Sequence, residues 1–187
     1  MTLWVVKLGT SLLRGDTAAT IEGYASGVAA AMRRGDQVVL VTSGAVGLGC
    51  QKLQLPKRPD TVVALQAAAA TGQGYLMALY ERAMAFHGLS VAQVLLTRSD
   101  LADRRRYQNA SGTLQQLLAW GVLPVINEND ALSSAELRFG DNDTLSALVA
   151  AAVGAHQLLL LTDVDRLYSS DPRRDANAQP ITDVHHP

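Results

Sequence analysis

Five short apolar runs, each ending in small or charged residues and separated by stretches of helical periodicity, limit the folds open to this chain. The runs are Leu3 to Val6, Gln37 to Val41, Val91 to Leu96, Val122 to Ile126 and Leu158 to Leu161. Unbroken apolar runs of this length read as strands buried on both faces, as in a parallel sheet. Between the first two, Ile21, Tyr24, Val28 and Met32 fall at helical spacing over Thr17 to Arg34, with Asp16 or Thr17 as N-cap and Gly35 beyond the end. An Ala-rich helical stretch covers Asp60 to His87 and is stopped by Gly88; Gly72 and Gly74 mark either a break in it or a close contact. Tyr107 to Trp120 is helical and ended by Gly121, and a helix capped by Asp141 or Asn142 runs to Val153 before Gly154. Leu137 to Gly140 reads as half of a small hairpin. The alternation predicts an α/β fold, a three-layer αβα sandwich with a mostly parallel central sheet.

Composition removes several function classes. A chain of 187 residues is expected to form one domain, with a core of Ala, Val and Leu. A net charge of -1 supplies no field for a polyanion, so no nucleic acid is expected. The dense basic run Arg104-Arg105-Arg106 follows Asp100 and Asp103 and reads as a solvated face or a subunit contact. The single Cys50 cannot form an internal disulfide and reads as a small buried hydrophobe. His87 and His156 stand near helix ends, where they favour the helix dipole, and no metal ligand is assigned to them or to Asp163 and Asp165. The absence of an apolar span of about 20 residues predicts a cytoplasmic protein with no membrane contact.

The chemistry concentrates where the runs end. Lys7 with Gly9-Thr10-Ser11, Ser43-Gly44-Ala45, Asn127-Glu128-Asn129-Asp130 and Thr162-Asp163 follow four of the runs, and Asp141-Asn142-Asp143 opens a helix. In open α/β sheets ligands bind beyond the carboxyl ends of the strands, so these clusters are expected at one edge. Glycines beside small hydroxyl residues let backbone N–H groups approach phosphate oxygens, and a lysine adds positive charge. Neither a G-x-x-x-x-G-K-[ST] loop nor a G-x-G-x-x-G turn is present. No Ser-His-Asp or Cys-His set is found, and phosphoryl transfer to a carboxylate does not require one.

The segments VVKLGTS at 5–11, VTSGAVGLG at 41–49, LLTRSDLADRRRYQNA at 95–110, PVINENDA at 124–131, GDNDTLSA at 140–147 and LLLLTDVDRLYSSDPR at 158–173 together resemble the glutamate 5-kinases (gamma-glutamyl kinases), a branch of the amino-acid kinase family. The resemblance runs from Val5 to about Asp183, and INEND followed by GDND is its most specific part. It implies ATP-dependent phosphorylation of the L-glutamate side-chain carboxylate to L-glutamyl 5-phosphate, the first step of proline synthesis, with Mg²⁺ accompanying ATP. Lys7 and Asp143 would be catalytic, Lys7 contacting the transferring phosphoryl group and Asp143 orienting the lysine environment. Ser43, Asp130 and Asn142 would bind glutamate. Gly9, Thr10 and Gly44 would line the phosphate path with Lys7, and Thr162 with Asp163 would belong to the nucleotide side. Proline as feedback inhibitor and a homo-oligomer are also implied. The family pattern continues with G-T-G-G-M and a second lysine, unmatched in residues 1–187, so the fold is expected to lack the C-terminal part of its nucleotide-binding half. A non-catalytic glutamate- or proline-binding fragment and a sister amino-acid kinase are the alternatives.

Overall fold

The computed structural model describes residues 1–13, 15–132 and 142–184. The hairpin expected at Leu137 to Gly140 and the capping role offered to Asp141 lie outside the described residues.

The chain runs β1 (Leu3–Leu8), α1 (Thr17–Arg33), β2 (Gln37–Val41), α2 (Ala45–Lys52), α3 (Val62–Ala85), β3 (Val91–Leu96), α4 (Arg98–Ala102), α5 (Arg104–Ala119), β4 (Leu123–Glu128), α6 (Asn142–Val153), β5 (Gln157–Leu161), β6 (Leu167–Tyr168) and β7 (Pro180–Ile181). The first five strands in spatial order β3-β4-β2-β1-β5 make one sheet, parallel throughout. The last two form a separate antiparallel pair.

Strand alternation assigns the two faces. Leu8, Val38, Leu40, Leu123 and Val125 join one core with residues of α1, α2 and α3. Their neighbours Leu3, Val5, Val39, Val41 and Ile126 join a second core with α4, α5 and α6. The result is the expected αβα sandwich.

Local chemistry sets the helix ends. The Asp16 carboxylate accepts from Ala19 N–H at the start of α1, and the Thr97 and Asp100 side chains close a capping box around the start of α4. Arg106 then reaches back to Asp100 at 3.1 Å, the partial neutralisation expected of the arginine run.

Four elements differ from expectation. First, the glycine-rich stretch after Gly44 is the helix α2, which Gly47 and Gly49 disfavour by intrinsic propensity. Packing overrides propensity here: a Cβ on Gly49 would stand 1.8 Å from the Ala68 carbonyl oxygen, and one on Gly72 1.9 Å from that of Ala45. Only glycine permits so close a crossing of α2 and α3, so Gly72 marks a contact and α3 runs unbroken.

Second, β4 extends two residues past the apolar run, carrying Asn127 and Glu128 into the buried sheet edge. Third, β5 was expected among the central strands. It pairs only with β1 among the described residues and leaves Leu158, Leu159 and Leu160 exposed. Fourth, α3 is long and apolar enough to cross a membrane by length and composition alone. Its buried face, including Leu76, Tyr80 and Met84, packs into the sandwich core, as an internal helix of an α/β protein does.

Two smaller expectations also shift. Cys50 is half-buried. His156 ties the sheet together, its Nδ1 accepting from Leu3 N–H at 3.0 Å.

Candidate active site

Strand register builds the site. Lys7 stands opposite Val41 on β2 and Leu160 on β5, and Val41 stands opposite Ile126 on β4. The carboxyl ends of four adjacent strands are therefore level, and Lys7, Thr42, Ser43 and Asn127 emerge side by side. An open pocket of about 530 Å³ lies above β1, β2 and β4. Lys7, Thr10, Ser43, Gly44, Asp130 and Asn142 all line it.

Lys7 shares the strand face of Leu3 and Val5, which looks toward α6. The first turn of α6 places Asp143 there, and Lys7 Nζ forms an ion pair with Asp143 Oδ1. The lysine side chain is 9% exposed and that of its partner 44%, so the ammonium and the Oδ1 that meets it are removed from bulk water while the rest of the aspartate side chain is half solvated. Gly9 sits against this group. A Cβ there would lie 3.2 Å from Leu161 O and 3.4 Å from Lys7 Nζ, so the absent side chain keeps the approach to the lysine open.

Gly44 adopts φ +102°, a left-handed conformation that an L side chain rarely adopts, and N-caps α2 with no side-chain hydrogen bond. The first N–H groups of α2 consequently face the pocket without a side-chain cap, a disposition suited to an anion.

Asn142, the first residue of α6, points its carboxamide into the gap between β2 and β4. Its Nδ2 donates to Thr42 O, to Ser43 Oγ at 2.7 Å and to Asn127 Oδ1 at 3.3 Å. Asn127 Nδ2 donates in turn to Gln73 Oε1 at 2.9 Å, and Gln73 Nε2 to Gln93 Oε1 at 3.4 Å. Beneath the pocket, Thr42 Oγ1 and Tyr80 OH share a hydrogen bond of 2.7 Å. Burial pushes the Tyr80 phenol well above its ordinary range against the opposing effect of that bond, so it stays neutral.

Thr162 and Asp163 lie apart from the pocket lining, on the far side of β1. Gly9 N–H donates to Leu161 O at 3.0 Å, which brings the Thr162–Asp163 turn alongside the loop after Lys7. The Ser11 hydroxyl, with smaller contributions from backbone and from Arg173, holds the Asp163 carboxyl below the usual carboxylate range. Arg173 reaches Asp163 at 2.8 Å. Lys7, near the end of β1, and Gly9, just beyond it, thus stand between the pocket and this second cluster.

Sequence reading passed over several pocket residues. Gln51 and Arg58 line the pocket from the far end of α2 and the loop beyond it, positions with no motif to mark them. Asn127 and Glu128, by contrast, belong to the polar strand end that the sequence already marks.

Residues 2–186 match the amino acid kinase family. The chain belongs to that family. As an amino acid kinase it is 97% identical over all 187 residues to glutamate 5-kinase of Synechococcus sp. (strain CC9902), and 83% identical over the same length to glutamate 5-kinase of Parasynechococcus marenigrum (strain WH8102). It covers 52% of each, so the chain spans about half the length of the curated relatives it matches. The isopentenyl phosphate kinase product complex of T. acidophilum shares the amino acid kinase fold at TM-score 0.65 and 20% identity, over 95% of this chain and 77% of that one.

Proposed function

We propose that this amino acid kinase chain is the glutamate-binding part of a glutamate 5-kinase, which phosphorylates the side-chain carboxylate of L-glutamate with ATP. The observation that carries the reading is the position of Lys7. It stands between a pocket of donors and acceptors with ample room for an amino acid and the Thr162–Asp163 turn, which would face the nucleotide. The 97% identity to a protein of that name supports it.

Within the pocket, Asp130 and the Asn142 amide oxygen would receive the substrate ammonium, and Ser43 would donate to a carboxylate. A carboxylate oxygen of glutamate attacks the terminal phosphorus of ATP, a new P–O bond forms, and the bond to the bridging oxygen breaks with its electron pair leaving on ADP. The carboxylate is already ionised near pH 7, so no proton must be removed. Lys7 offsets negative charge on the transferring oxygens, and Asp143 keeps the ammonium aimed.

The open approach at Gly9 and the uncapped start of α2 fit a phosphate-bearing ligand. ATP supplies the phosphoryl group, and Mg²⁺ would neutralise its phosphates. Among the described residues no group of three or more His, Cys, Asp or Glu could hold a metal, so the ion would be carried mainly by the phosphates. Gly9, Thr10, Gly44, Thr162 and Asp163 would line the nucleotide's path. Residues 1–187 would then form one domain holding the glutamate half of the site and part of the nucleotide half. A cytoplasmic location, a homo-oligomeric state and inhibition by L-proline belong to the same reading and rest on the resemblance to glutamate 5-kinases.

Calorimetric titration of the chain with L-glutamate, D-glutamate, L-aspartate and L-proline tests the pocket. Hydroxamate formation from glutamate, ATP and Mg²⁺, on this chain and on the full-length relative, tests the chemistry. Binding of L-glutamate lost in Ser43→Ala and Asn142→Ala is expected. Phosphorylation of another amino acid by the full-length relative, with glutamate inert, would overturn the assignment.

A further inference from the structure

The chain of amides from Gln93 to Asn142 has a direction, and two backbone groups impose it. Thr42 O can only accept, so the Asn142 atom that meets it is the NH₂ group. Glu128 N–H can only donate, so the Asn127 atom 2.9 Å from it is the carbonyl oxygen. With its oxygen turned to Glu128 and Asn142, Asn127 offers its own NH₂ to Gln73 Oε1, and Gln73 must then present its NH₂ to Gln93. Gln73 and Asn127 are buried, at 9% and 2% exposure, so water offers little alternative pairing to either.

The direction reaches the pocket. With both Asn142 amide hydrogens spent on Thr42, Ser43 and Asn127, its Oδ1 is the atom left for a ligand. Ser43 Oγ accepts from Asn142, so its hydroxyl proton is available to the pocket. The wall of the pocket therefore offers an acceptor from Asn142 and a donor from Ser43.

We propose that Gln73, in the middle of α3 and outside the lining of the 530 Å³ pocket, is a positioning residue: by accepting from Asn127 it fixes the Asn142 amide and thereby the donor–acceptor pattern that receives the substrate. This deepens the glutamate-binding reading and rests on it for the identity of the ligand, but the amide relay itself does not.

Two variants separate positioning from packing. Gln73→Met keeps the shape of the side chain and removes the acceptor. Gln73→Glu keeps the acceptor, and when protonated in its buried site it restores a donor toward Gln93 as well. A residue needed only for packing tolerates the apolar variant better than the acidic one. Positioning reverses that order for binding. Calorimetry is expected to show L-glutamate bound at least tenfold more weakly by Gln73→Met, which stays folded with only the lowered melting temperature that one unpaired buried Asn127 amide imposes, and within about threefold of the parent by Gln73→Glu. Glutamate affinity unchanged in Gln73→Met, or lost equally in both variants, overturns the proposal.

The side-chain amide signals of Asn142 in ¹⁵N-labelled protein give a readout without ligand. They should be protected from exchange in the parent and in Gln73→Glu, and averaged or shifted in Gln73→Met. If the parent binds no glutamate, the functional reading fails while these signals still decide the relay. Signals identical in parent and Gln73→Met would end it.

Discussion

Lys7 and Asp143 are joined across two elements, the lysine at the end of β1 and the aspartate in the first turn of α6, as an ion pair with one buried and one half-exposed member. The asymmetry predicts unequal stability responses. Asp143→Asn leaves a buried ammonium without its counter-charge and is expected to destabilise by about 1–3 kcal/mol, less than a fully buried pair because Asp143 is partly solvated. Lys7→Met strands one buried carboxylate oxygen on a side chain that is otherwise half exposed, and should lower the melting temperature less than Asp143→Asn does. Phosphoryl transfer by the full-length relative should fall at least about a hundredfold in both. Thermal denaturation beside the hydroxamate assay separates the two effects, and a stable Asp143→Asn variant would contradict the burial argument.

The contact between α2 and α3 yields a sharper contrast among three glycines. Gly49→Ala and Gly72→Ala each drive a methyl into backbone, which cannot step aside as a side-chain tip does. Each should cost about 1–3 kcal/mol or more and disturb the pocket wall that α2 forms. Gly74→Ala lies in the same helix with nothing within 4 Å of the added Cβ, and should stabilise by about 0.5–1 kcal/mol. Urea denaturation of the three variants checks the order.

These elements also show what the amino-acid order could reveal. The sandwich was legible because parallel strands are continuous apolar runs and their helices carry caps at both ends, as Asp16 and Gly35 do around α1. The site was legible as a set of polar strand ends, since one chain direction sends every carboxyl end to the same edge. The helix α2 was not legible: Gly47 and Gly49 argue against a helix locally, and the contact that requires Gly49 is with Ala68 of α3, which the local sequence does not show. Gln73 was hidden similarly, because its partners Asn127 and Gln93 are brought together only by the sheet. The edge position of β5 escaped as well, since an apolar run does not say which strands flank it.

Asp100 carries a pH prediction. Partial burial works to raise its carboxyl pKa, but the side-chain and backbone hydrogen bonds from Thr97 and the Arg106 guanidinium outweigh burial and hold it below the ordinary value. A carboxyl depressed on folding contributes stability above its unfolded pKa of about 3.9 and loses it as pH falls through the folded value. Asp100→Asn removes that contribution together with half of the capping box, and should destabilise by about 0.5–2 kcal/mol at pH 7. The gap between parent and variant is expected to hold down to about pH 5 and close progressively below about pH 4. Denaturation midpoints measured from pH 7 to pH 2.5 would show it, and a gap independent of pH would reject the ionised cap.

The exposed strand β5 predicts how the chain behaves in solution. Its hydrogen-bonding partner among the described residues is β1 on one side, and Leu158, Leu159 and Leu160 are 37%, 44% and 44% exposed. Leu159 and Leu161 line an apolar hollow of about 220 Å³ with Trp4, Tyr24 and Val28. Unpaired N–H and C=O groups beside apolar side chains form a template for another strand, and curated relatives run to about twice this length. The isolated chain is therefore expected to associate through this edge in a concentration-dependent manner. Leu159→Lys places a charge at the mouth of the hollow, where it opposes strand addition and can still reach water. Sedimentation velocity should show association in the parent and its suppression in Leu159→Lys, with L-glutamate affinity unchanged because the hollow lies on the face of the sheet toward α1, apart from the pocket. Association that persists in the variant would place the contact elsewhere on the molecule.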